Sequence, residues 1–349
     1  MTSEFLSTGF PIQDLARFGP NQTAIPTESQ AAAYCRSLAK KHYENFSVAT
    51  FLLPRDVREH FYPVYAFCRW ADDLGDETTD ADALLAWWEM LLERFYAEEW
   101  QPGLKRDEVE RNDRIKSPNL SPFLSGRSAS LREAPVPAAI PATADVIHPV
   151  FIALKPTVRE FGIPKTLFSD LLVAFRRDQT VKEYETRDAL LDYCRHSANP
   201  VGRLILHLAR TTDDESLRLS DAVCTGLQLA NFWQDVARDW DEKGRIYLPR
   251  EDRLRFGVTD EMFRNRRATP EFRELLREET AWAESFFRTG IPLADRVPRS
   301  FSRDIKLFSA GGLAILDAIR RQNYDVWTRR PRISKWRKIR LLVRCLIGF

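Results

Sequence analysis

Apolar side chains recur at helical spacing through two long parts of the chain, from about residue 28 to 100 and from about residue 150 to 324. Alternation of apolar and polar residues, which marks a half-buried strand, is scarce in both parts. The helical pattern is interrupted where glycine or proline stands, at residues 162–164, 199–200 and 248–249. The pattern therefore predicts an all-α protein, in which both parts belong to one helical domain over residues 28–328.

Two segments precede or interrupt this helical pattern. Residues 1–27 contain Pro11, Pro20 and Pro26, and we expect a loose N-terminal leader there. Residues 101–147 mix charged residues, serines and prolines, a composition that buries little apolar surface. We therefore expect residues 101–147 to form a flexible insertion within the helical domain.

The C-terminal residues 329–349 form a third distinct segment, with eight basic residues and no acidic one. Apolar side chains are interleaved with these charges: Ile333, Trp336, Ile339, Leu341, Leu342 and Leu346. This basic amphipathic tail suits a helix that lies on an anionic membrane surface. It equally suits a last helix that packs on the domain and turns a solvated basic face outward.

Two helical segments, about 160 residues apart, each carry acidic residues four positions from each other. At about 100° per residue, one polar set spans about 100° of its helix: Tyr65, Arg69, Asp72, Asp73 and Asp76. The other polar set spans about 80° of its helix: Gln228, Asn231, Asp235 and Asp239. Most of the remaining circumference of both helices is apolar, whereas a surface helix has a wide polar face. The pattern therefore predicts two buried helices that line a polar cavity.

Carboxylates in such a cavity need a counter-charge, because burying an unpaired ion is costly. Arg69 lies one turn from Asp72 and Asp73 and could pair with them, but one guanidinium cannot neutralise the whole set. Mg²⁺ prefers oxygen ligands and is commonly completed by substrate phosphates. The two acidic rows therefore predict a Mg²⁺-dependent enzyme that acts on a diphosphate, because the metal stabilises the departing anion.

Departure of diphosphate from an allylic or cyclopropylcarbinyl carbon leaves a carbocation, which is stabilised by the faces of aromatic rings in a dry cavity. The chain has 22 Phe, nine Trp and nine Tyr residues, which is enough to line a central apolar cavity as well as the core.

Bulk composition excludes several other classes of function. The net charge of +2 predicts no strong attraction to nucleic acid. The five cysteines are scattered, without a CxxC pair, and indicate neither a zinc site nor a disulfide framework. The N-terminus lacks a signal-peptide pattern, and no stretch approaches ~18 consecutive apolar residues. These features predict a cytoplasmic protein whose membrane contact, if the tail supplies one, is peripheral and on the inner face.

Five blocks along the chain resemble the squalene/phytoene synthase family, whose members are head-to-head prenyl synthases. The blocks are residues 45–54, 65–77, 174–179, 190–202 and 228–249. The resemblance covers roughly residues 28–330 apart from the insertion. It implies the isoprenoid synthase fold, a single helical domain around a central apolar cavity.

Within the family, four motifs look most like the bacterial hydroxysqualene synthases of hopanoid biosynthesis: Asn45–Ser47, Ala71–Glu77, Ser197–Gly202 and Phe232–Asp235. That resemblance implies that presqualene diphosphate and water give hydroxysqualene and diphosphate. Mg²⁺, as two or three ions, is the expected cofactor. No NADPH is expected, because water rather than hydride captures the final cation.

The resemblance assigns Mg²⁺ ligands to two rows, the first row being Asp72, Asp73 and Asp76 and the second row Asn231, Asp235 and Asp239. The other positions that it implies are Asn45 and Phe46 in the substrate pocket, Tyr65 and Arg69 at the diphosphate, Tyr193 and Gln228 near the cation, and Asn231 against the substrate. Many relatives have Arg where this chain has Gln234, so one positive charge beside the second row is missing.

Several alternatives remain open from the sequence. A squalene or phytoene-type synthase, which condenses two prenyl diphosphates such as farnesyl diphosphate, shares the fold and the rows. Head-to-tail chain elongation would need a second Asp-Asp-x-x-Asp motif, where this chain has Asn231, Asp235 and Asp239. A non-catalytic assembly-factor relative would tend to lose the aspartates, and both rows are intact here.

Overall fold

The computed structural model describes residues 6–22, 25–41, 55–99 and 148–347. These ranges contain fourteen α-helices: α1 Pro11–Phe18, α2 Glu28–Lys41, α3 Arg55–Asp76, α4 Ala81–Glu99, α5 Pro149–Phe161, α6 Lys165–Thr180, α7 Arg187–Ser197, α8 Asn199–Leu208, α9 Asp214–Lys243, α10 Arg250–Arg255, α11 Asp260–Arg264, α12 Pro270–Gly290, α13 Arg299–Arg321 and α14 Lys335–Ile347. A 3-10 helix, Ile291–Asp295, joins α12 to α13. Apart from one β-bridge between Glu183 and Ile246, the described ranges contain no strand, so the prediction of an all-α protein is confirmed.

The helices end where the sequence places glycine and proline. Gly162 follows α5 in the left-handed conformation, at φ 58°, and Gly244 follows α9 at φ 60°. Both positions tolerate this conformation because glycine has no Cβ. Pro200 lies in the first turn of α8, where its missing N–H costs nothing. The interruptions predicted at residues 162–164 and 199–200 are therefore real helix boundaries.

The N-terminal leader is ordered in its described part, which corrects the expectation of a loose segment for residues 6–22. Asp14 on α1 is fully buried and accepts a hydrogen bond from the Tyr34 hydroxyl at 2.9 Å. The Trp70 indole N–H donates in turn to the same hydroxyl at 2.9 Å. This chain of polar contacts ties α1 to α2 and α3. The expected insertion at residues 101–147 lies outside the described residues, and the domain boundaries stay predictions.

Two apolar clusters hold the helices together. The first lies among α2 to α6 and α8 and includes Phe67 and Trp70 of α3. The second lies among α7, α9, α12 and α13 and includes Phe232 and Trp233 of α9. The helices that carry the first and second rows are therefore anchored in different clusters, and each uses its apolar face to do so. In the described ranges, no helix is long and apolar enough to cross a bilayer.

Two adjacent glycines in α13 differ in their surroundings. A Cβ added at Gly312 would overlap the buried ring of Phe287 on α12, whereas a Cβ added at Gly311 would meet nothing within 4 Å. Gly312 therefore permits the close approach of α12 and α13, and Gly311 does not serve that purpose.

We expect Gly312→Ala to lower the free energy of unfolding by about 1–3 kcal/mol, because the Phe287 ring must shift within a packed core. We expect Gly311→Ala to raise it by about 0.5–1 kcal/mol, because alanine loses less backbone entropy in a helix. Urea unfolding of the two variants measures both effects. Equal effects of the two substitutions would contradict this account of the α12–α13 packing.

Candidate active site

The first row lies in the last two turns of α3, with Arg69 beside it. The Arg69 guanidinium places Nη1 at 3.1 Å from the Asp72 carboxylate and Nη2 against the Asp73 carboxylate. The Asp72 side chain is 42% exposed, whereas the Asp73 side chain is 1% exposed. Asp72 therefore opens on solvent-accessible space, and Asp73 is closed in behind Arg69.

The second row follows one face of α9. Along this face Gln228 is half-buried, Asn231 is exposed, Asp235 is buried and Asp239 is half-buried. The opposite face is closed by apolar residues, which include the fully buried Trp233. This arrangement agrees with the helical wheel: polar side chains occupy the accessible strip, and the rest of the helix is core.

Lys243 connects the two rows directly. Its ammonium at the end of α9 lies 2.5 Å from the Asp76 carboxylate at the end of α3. Arg245 also lies 3.9 Å from Asp76. One ion pair between the C-terminal ends of α3 and α9 therefore joins Asp76 of the first row to a residue one turn beyond Asp239 of the second row. Helix C-termini carry partial negative charge, so this end of the molecule attracts cations even beyond its carboxylates.

Arg330 supplies a second cation, from the segment between α13 and α14. Its Nε donates to one oxygen of Asp235, and its Nη2 donates to the other at 2.8 Å. Such a two-point contact fixes the guanidinium in the plane of the carboxylate. Arg330 thus places a positive charge beside Asp235, and it lies 96 positions along the chain from Gln234.

Gln234 contacts the same segment. Its side-chain amide donates to the Pro331 carbonyl at 2.6 Å, and its Oε1 accepts from Arg330 at 3.4 Å. Gln234 is buried, so these contacts are shielded from water. The residue that departs from the family pattern therefore holds the segment that brings Arg330 to Asp235.

Tyr193 is buried behind the second row, and its hydroxyl donates to Asp178 of α6 at 2.9 Å. Arg245 donates to the Asp178 carbonyl at 2.5 Å and lies 3.8 Å from its carboxylate. Tyr193 packs near Tyr247, which stacks on Phe232 with 3.8 Å between ring centroids. Tyr193 thus helps to hold Asp178 and Tyr247 in position. Its predicted role near the cation stays a prediction.

Loss of hydration disfavours the charged form of three carboxylates in the rows. The protein around Asp72 removes part of the water from its carboxylate and so raises its pKa to about 6, while Arg69 opposes the shift. Burial also raises the pKa of Asp73 to about 7, and burial together with the charge of Asp235 raises the pKa of Asp239 to about 7. Each rise means that the charged carboxylate is disfavoured where it stands. A cation bound between these groups would relieve that cost.

The donor set fits Mg²⁺, because the carboxylates of the two rows and the Asn231 amide supply oxygen ligands. In the part of the chain that the structure describes, no three His, Cys, Asp or Glu side chains stand together as a preformed cage. Arg69, Lys243 and Arg330 hold the carboxylates instead. Binding of an ion therefore requires these pairs to open, with water and diphosphate oxygens completing its shell.

The remaining predicted positions are distributed as follows. Tyr65 is half-buried on α3 and stacks on Phe61 at 6.1 Å, one turn from Arg69. Gln228 lies two turns before Asp235 on the accessible face of α9. Asn45 and Phe46, predicted in the substrate pocket, lie outside the described residues.

Sequence reasoning missed three cations and one acid at the site: Lys243, Arg245, Arg330 and Asp178. Asp178, Lys243 and Arg245 stand within two of the family-like blocks, which was the available signal. Arg330 lies outside all five blocks, and it meets Asp235 only through the tertiary fold.

Comparison with known proteins agrees with this architecture. The family model for squalene/phytoene synthase matches residues 39–337. The hydroxysqualene synthase of Rhodopseudomonas palustris is 30% identical over 270 residues, which cover 76% of this chain and 76% of that protein. The hydroxysqualene synthase of Zymomonas mobilis is 30% identical over 239 residues, and the match spans 68% of this chain but only 65% of that protein.

A solved structure is also similar. The squalene synthase HpnC from Alicyclobacillus acidocaldarius is 40% identical, with a TM-score of 0.69 over 86% of this chain and 97% of that chain. The expected isoprenoid synthase fold is confirmed by this overlap.

The pairing of Arg330 with Asp235 predicts different costs for two neighbouring substitutions. We expect Asp235→Asn to lower the free energy of unfolding by about 1–3 kcal/mol, because the guanidinium loses a charged acceptor. We expect Asp239→Asn to leave stability unchanged or higher, because it removes a carboxylate whose charge is disfavoured.

Urea unfolding without metal measures these effects. Arg330→Gln combined with Asp235→Asn should cost less than the sum of the single substitutions, because both remove the same contact. Additive costs would show that the contact contributes nothing to stability.

Proposed function

The chain belongs to the squalene/phytoene synthase family of enzymes, and we propose that it converts presqualene diphosphate and water to hydroxysqualene and diphosphate with the help of Mg²⁺. The observation that carries the reaction class is the contact of Asp76 of the first row with Lys243, one turn beyond Asp239 of the second row. A metal-bound diphosphate needs oxygen ligands for the metal ion and cationic side chains for the phosphate oxygens, and the site offers both. The hydroxysqualene synthases of two bacteria, each 30% identical, support the choice of product.

In this proposal the first and second rows bind two or three Mg²⁺ ions, with Asp72, Asp76, Asn231, Asp235 and Asp239 as ligands. Asp73 joins them if Arg69 moves aside. The bound ions would take up the negative charge that develops on the diphosphate as its bond to carbon breaks.

In this proposal the cationic side chains of the site also bind the diphosphate. Arg69, Lys243 and Arg330 each hold a carboxylate of the rows. With Mg²⁺ neutralising those carboxylates, each of the three would exchange its partner for a diphosphate oxygen. Tyr65, near Arg69 on the same face of α3, would contact the diphosphate as well. Binding of metal and of substrate would thereby be coupled. The metal frees the cationic side chains for the diphosphate, and the diphosphate supplies further negative charge for the metal.

Hydroxysqualene forms when the cation left on the rearranged carbon skeleton bonds to the oxygen of water, which then loses a proton. No electrons are exchanged, so this route needs no NADPH, whereas squalene formation needs a hydride donor. Gln228 and Asn231 offer amide oxygens to the cation from the accessible face of α9. Tyr193, which packs beside Phe232 of α9, would support the pocket near the cation, and Asn45 and Phe46 would contribute to the substrate pocket.

The alternative is a squalene or phytoene-type synthase that condenses two molecules of farnesyl diphosphate or a longer homologue. It is favoured by the 40% identical structure, which is described as a squalene synthase. The rows serve both reactions, so their geometry does not separate the two. A non-catalytic relative has no need of two intact rows with matched counter-charges.

We further propose that the protein works in the cytoplasm and meets the inner face of a membrane peripherally through residues 329–349. The prenyl chains of the substrate and the whole product are apolar and partition into bilayers.

Product identification tests the reaction. Purified protein supplied with presqualene diphosphate, Mg²⁺ and ¹⁸O-labelled water should release hydroxysqualene that carries one ¹⁸O atom, without NADPH. Removal of Mg²⁺ with EDTA should stop the reaction. Efficient turnover of farnesyl diphosphate without added presqualene diphosphate would instead favour the alternative.

Substitution tests the assignment of the rows. We expect Asp72→Asn and Asp235→Asn each to lower kcat/KM by at least about 100-fold, because each weakens the charge that stabilises the departing diphosphate. Asp241→Asn is a matched control on α9, since Asp241 pairs with Arg266 at 2.6 Å. Activity near that of the unmodified protein in both row variants would refute the site.

A further inference from the structure

The last helix, α14, presents apolar side chains to solvent. Trp336 is 82% exposed, Ile339 is 51% exposed and Val343 is 43% exposed. Their spacing places all three within about 60° of the helix circumference, so they form one continuous apolar row. The other large apolar side chains exposed in the described ranges are scattered over different elements. Scattered exposure is ordinary, whereas a continuous row indicates an interaction surface.

Basic side chains flank this apolar row. At about 100° per residue, the exposed Arg340 lies about 40° from Trp336 around the helix, and the exposed Lys338 lies about 100° from Ile339 on the other flank. No acidic residue occurs in residues 329–349. Arg321, Arg337 and Arg340 line a groove of about 550 Å³ together with Ser334 and the three residues of the apolar row. The surface is therefore both apolar and strongly positive.

Arg337, which lines one edge of the groove, also attaches α14 to the domain. The Arg337 guanidinium lies 2.5 Å from the Asp317 carboxylate of α13, which also pairs with Arg321 at 3.0 Å. Leu341 and Leu342 are half-buried. The two interpretations left open by the sequence are thus combined, because one face of α14 packs on α13 and the other face carries exposed apolar and basic groups.

The exposed surface lies close to the candidate active site along the chain. Arg330 contacts Asp235, and Pro331 accepts the hydrogen bond of Gln234. Trp336 follows Pro331 by five residues, which span at most ~18 Å when fully extended. The start of α14 is therefore held near the second row.

We propose that the surface formed by Trp336, Lys338, Ile339, Arg340 and Val343 docks on an anionic lipid bilayer. The apolar row enters the interfacial region, and the basic side chains contact phosphate headgroups. A second copy of this chain is a poorer occupant, because two such basic faces repel each other. Docking holds the second row near the bilayer from which prenyl chains enter and into which the product leaves. That consequence rests on the proposed function, whereas lipid binding itself does not.

Vesicle binding by the full-length protein tests the proposal. We expect the protein to sediment with vesicles of phosphatidylcholine and phosphatidylglycerol, and far less with phosphatidylcholine alone or in high salt. The double variant Lys338→Glu with Arg340→Glu should lose most of this binding. Arg264→Glu with Arg267→Glu changes two exposed arginines of another surface by the same net charge, and it should keep the binding. Circular dichroism and thermal melting verify that both variants fold.

Tryptophan quenching shows which residue enters the lipid. Vesicles with brominated acyl chains should quench part of the fluorescence of the unmodified protein. Trp336→Phe should bind the same vesicles without that quenched component. Equal quenching in the variant would show that another face enters the bilayer and would overturn the proposal.

Two further results would also overturn the docking surface: equal loss of vesicle binding in both charge variants, or a concentration-dependent dimer that Trp336→Ala with Ile339→Ala abolishes.

Turnover distinguishes failure of docking from failure of the proposed function. With presqualene diphosphate in detergent, Lys338→Glu with Arg340→Glu should react like the unmodified protein. With the substrate in anionic vesicles, the same variant should be several-fold slower. Vesicle binding without turnover in either form would leave the docking surface standing and remove the proposed function.

Discussion

Withdrawal of carboxylates on two helices from water is the constraint on which this structure depends. The first row lies at the C-terminal end of α3, and Asp239 of the second row lies one turn before the C-terminal end of α9, where the helix dipoles add further negative charge. Such an arrangement needs counter-charge within the fold. Lys243 supplies it between the helices, Arg69 supplies it within the first row, and Arg330 supplies it to Asp235.

The same constraint explains why the site suits a metal-bound diphosphate. Carboxylates that are disfavoured in their charged form bind a cation readily, and the organic cations that now pair with them are then available for a phosphate. The two apolar clusters fix α3 and α9 independently, so side chains at the rows can exchange partners without disturbing the core. The apolar core contacts and the contacts of the rows thus lie on different faces of each helix.

Local features of the site were readable from the sequence, and features of the tertiary fold were not. Spacing of four residues showed the rows, and the apolar remainder of α9 showed that this helix is packed on its other side. The contact of Lys243 with Asp76 joins residues 167 positions apart, and no spacing rule reveals it. The absence of Arg at position 234 was visible, but the contact of Arg330 with Asp235 was not. The leader was misjudged because proline suggested a loose segment, while the buried contact of Asp14 with Tyr34 is non-local.

The central claim is that the two rows act together as one metal-dependent diphosphate site. Isothermal titration of the unmodified protein with inorganic diphosphate tests it most directly, because binding is measured without turnover. The account predicts binding in the presence of Mg²⁺ and at least about a tenfold loss of affinity, which corresponds to about 1.4 kcal/mol, when EDTA replaces Mg²⁺. Equal affinity for diphosphate with and without Mg²⁺ would contradict it.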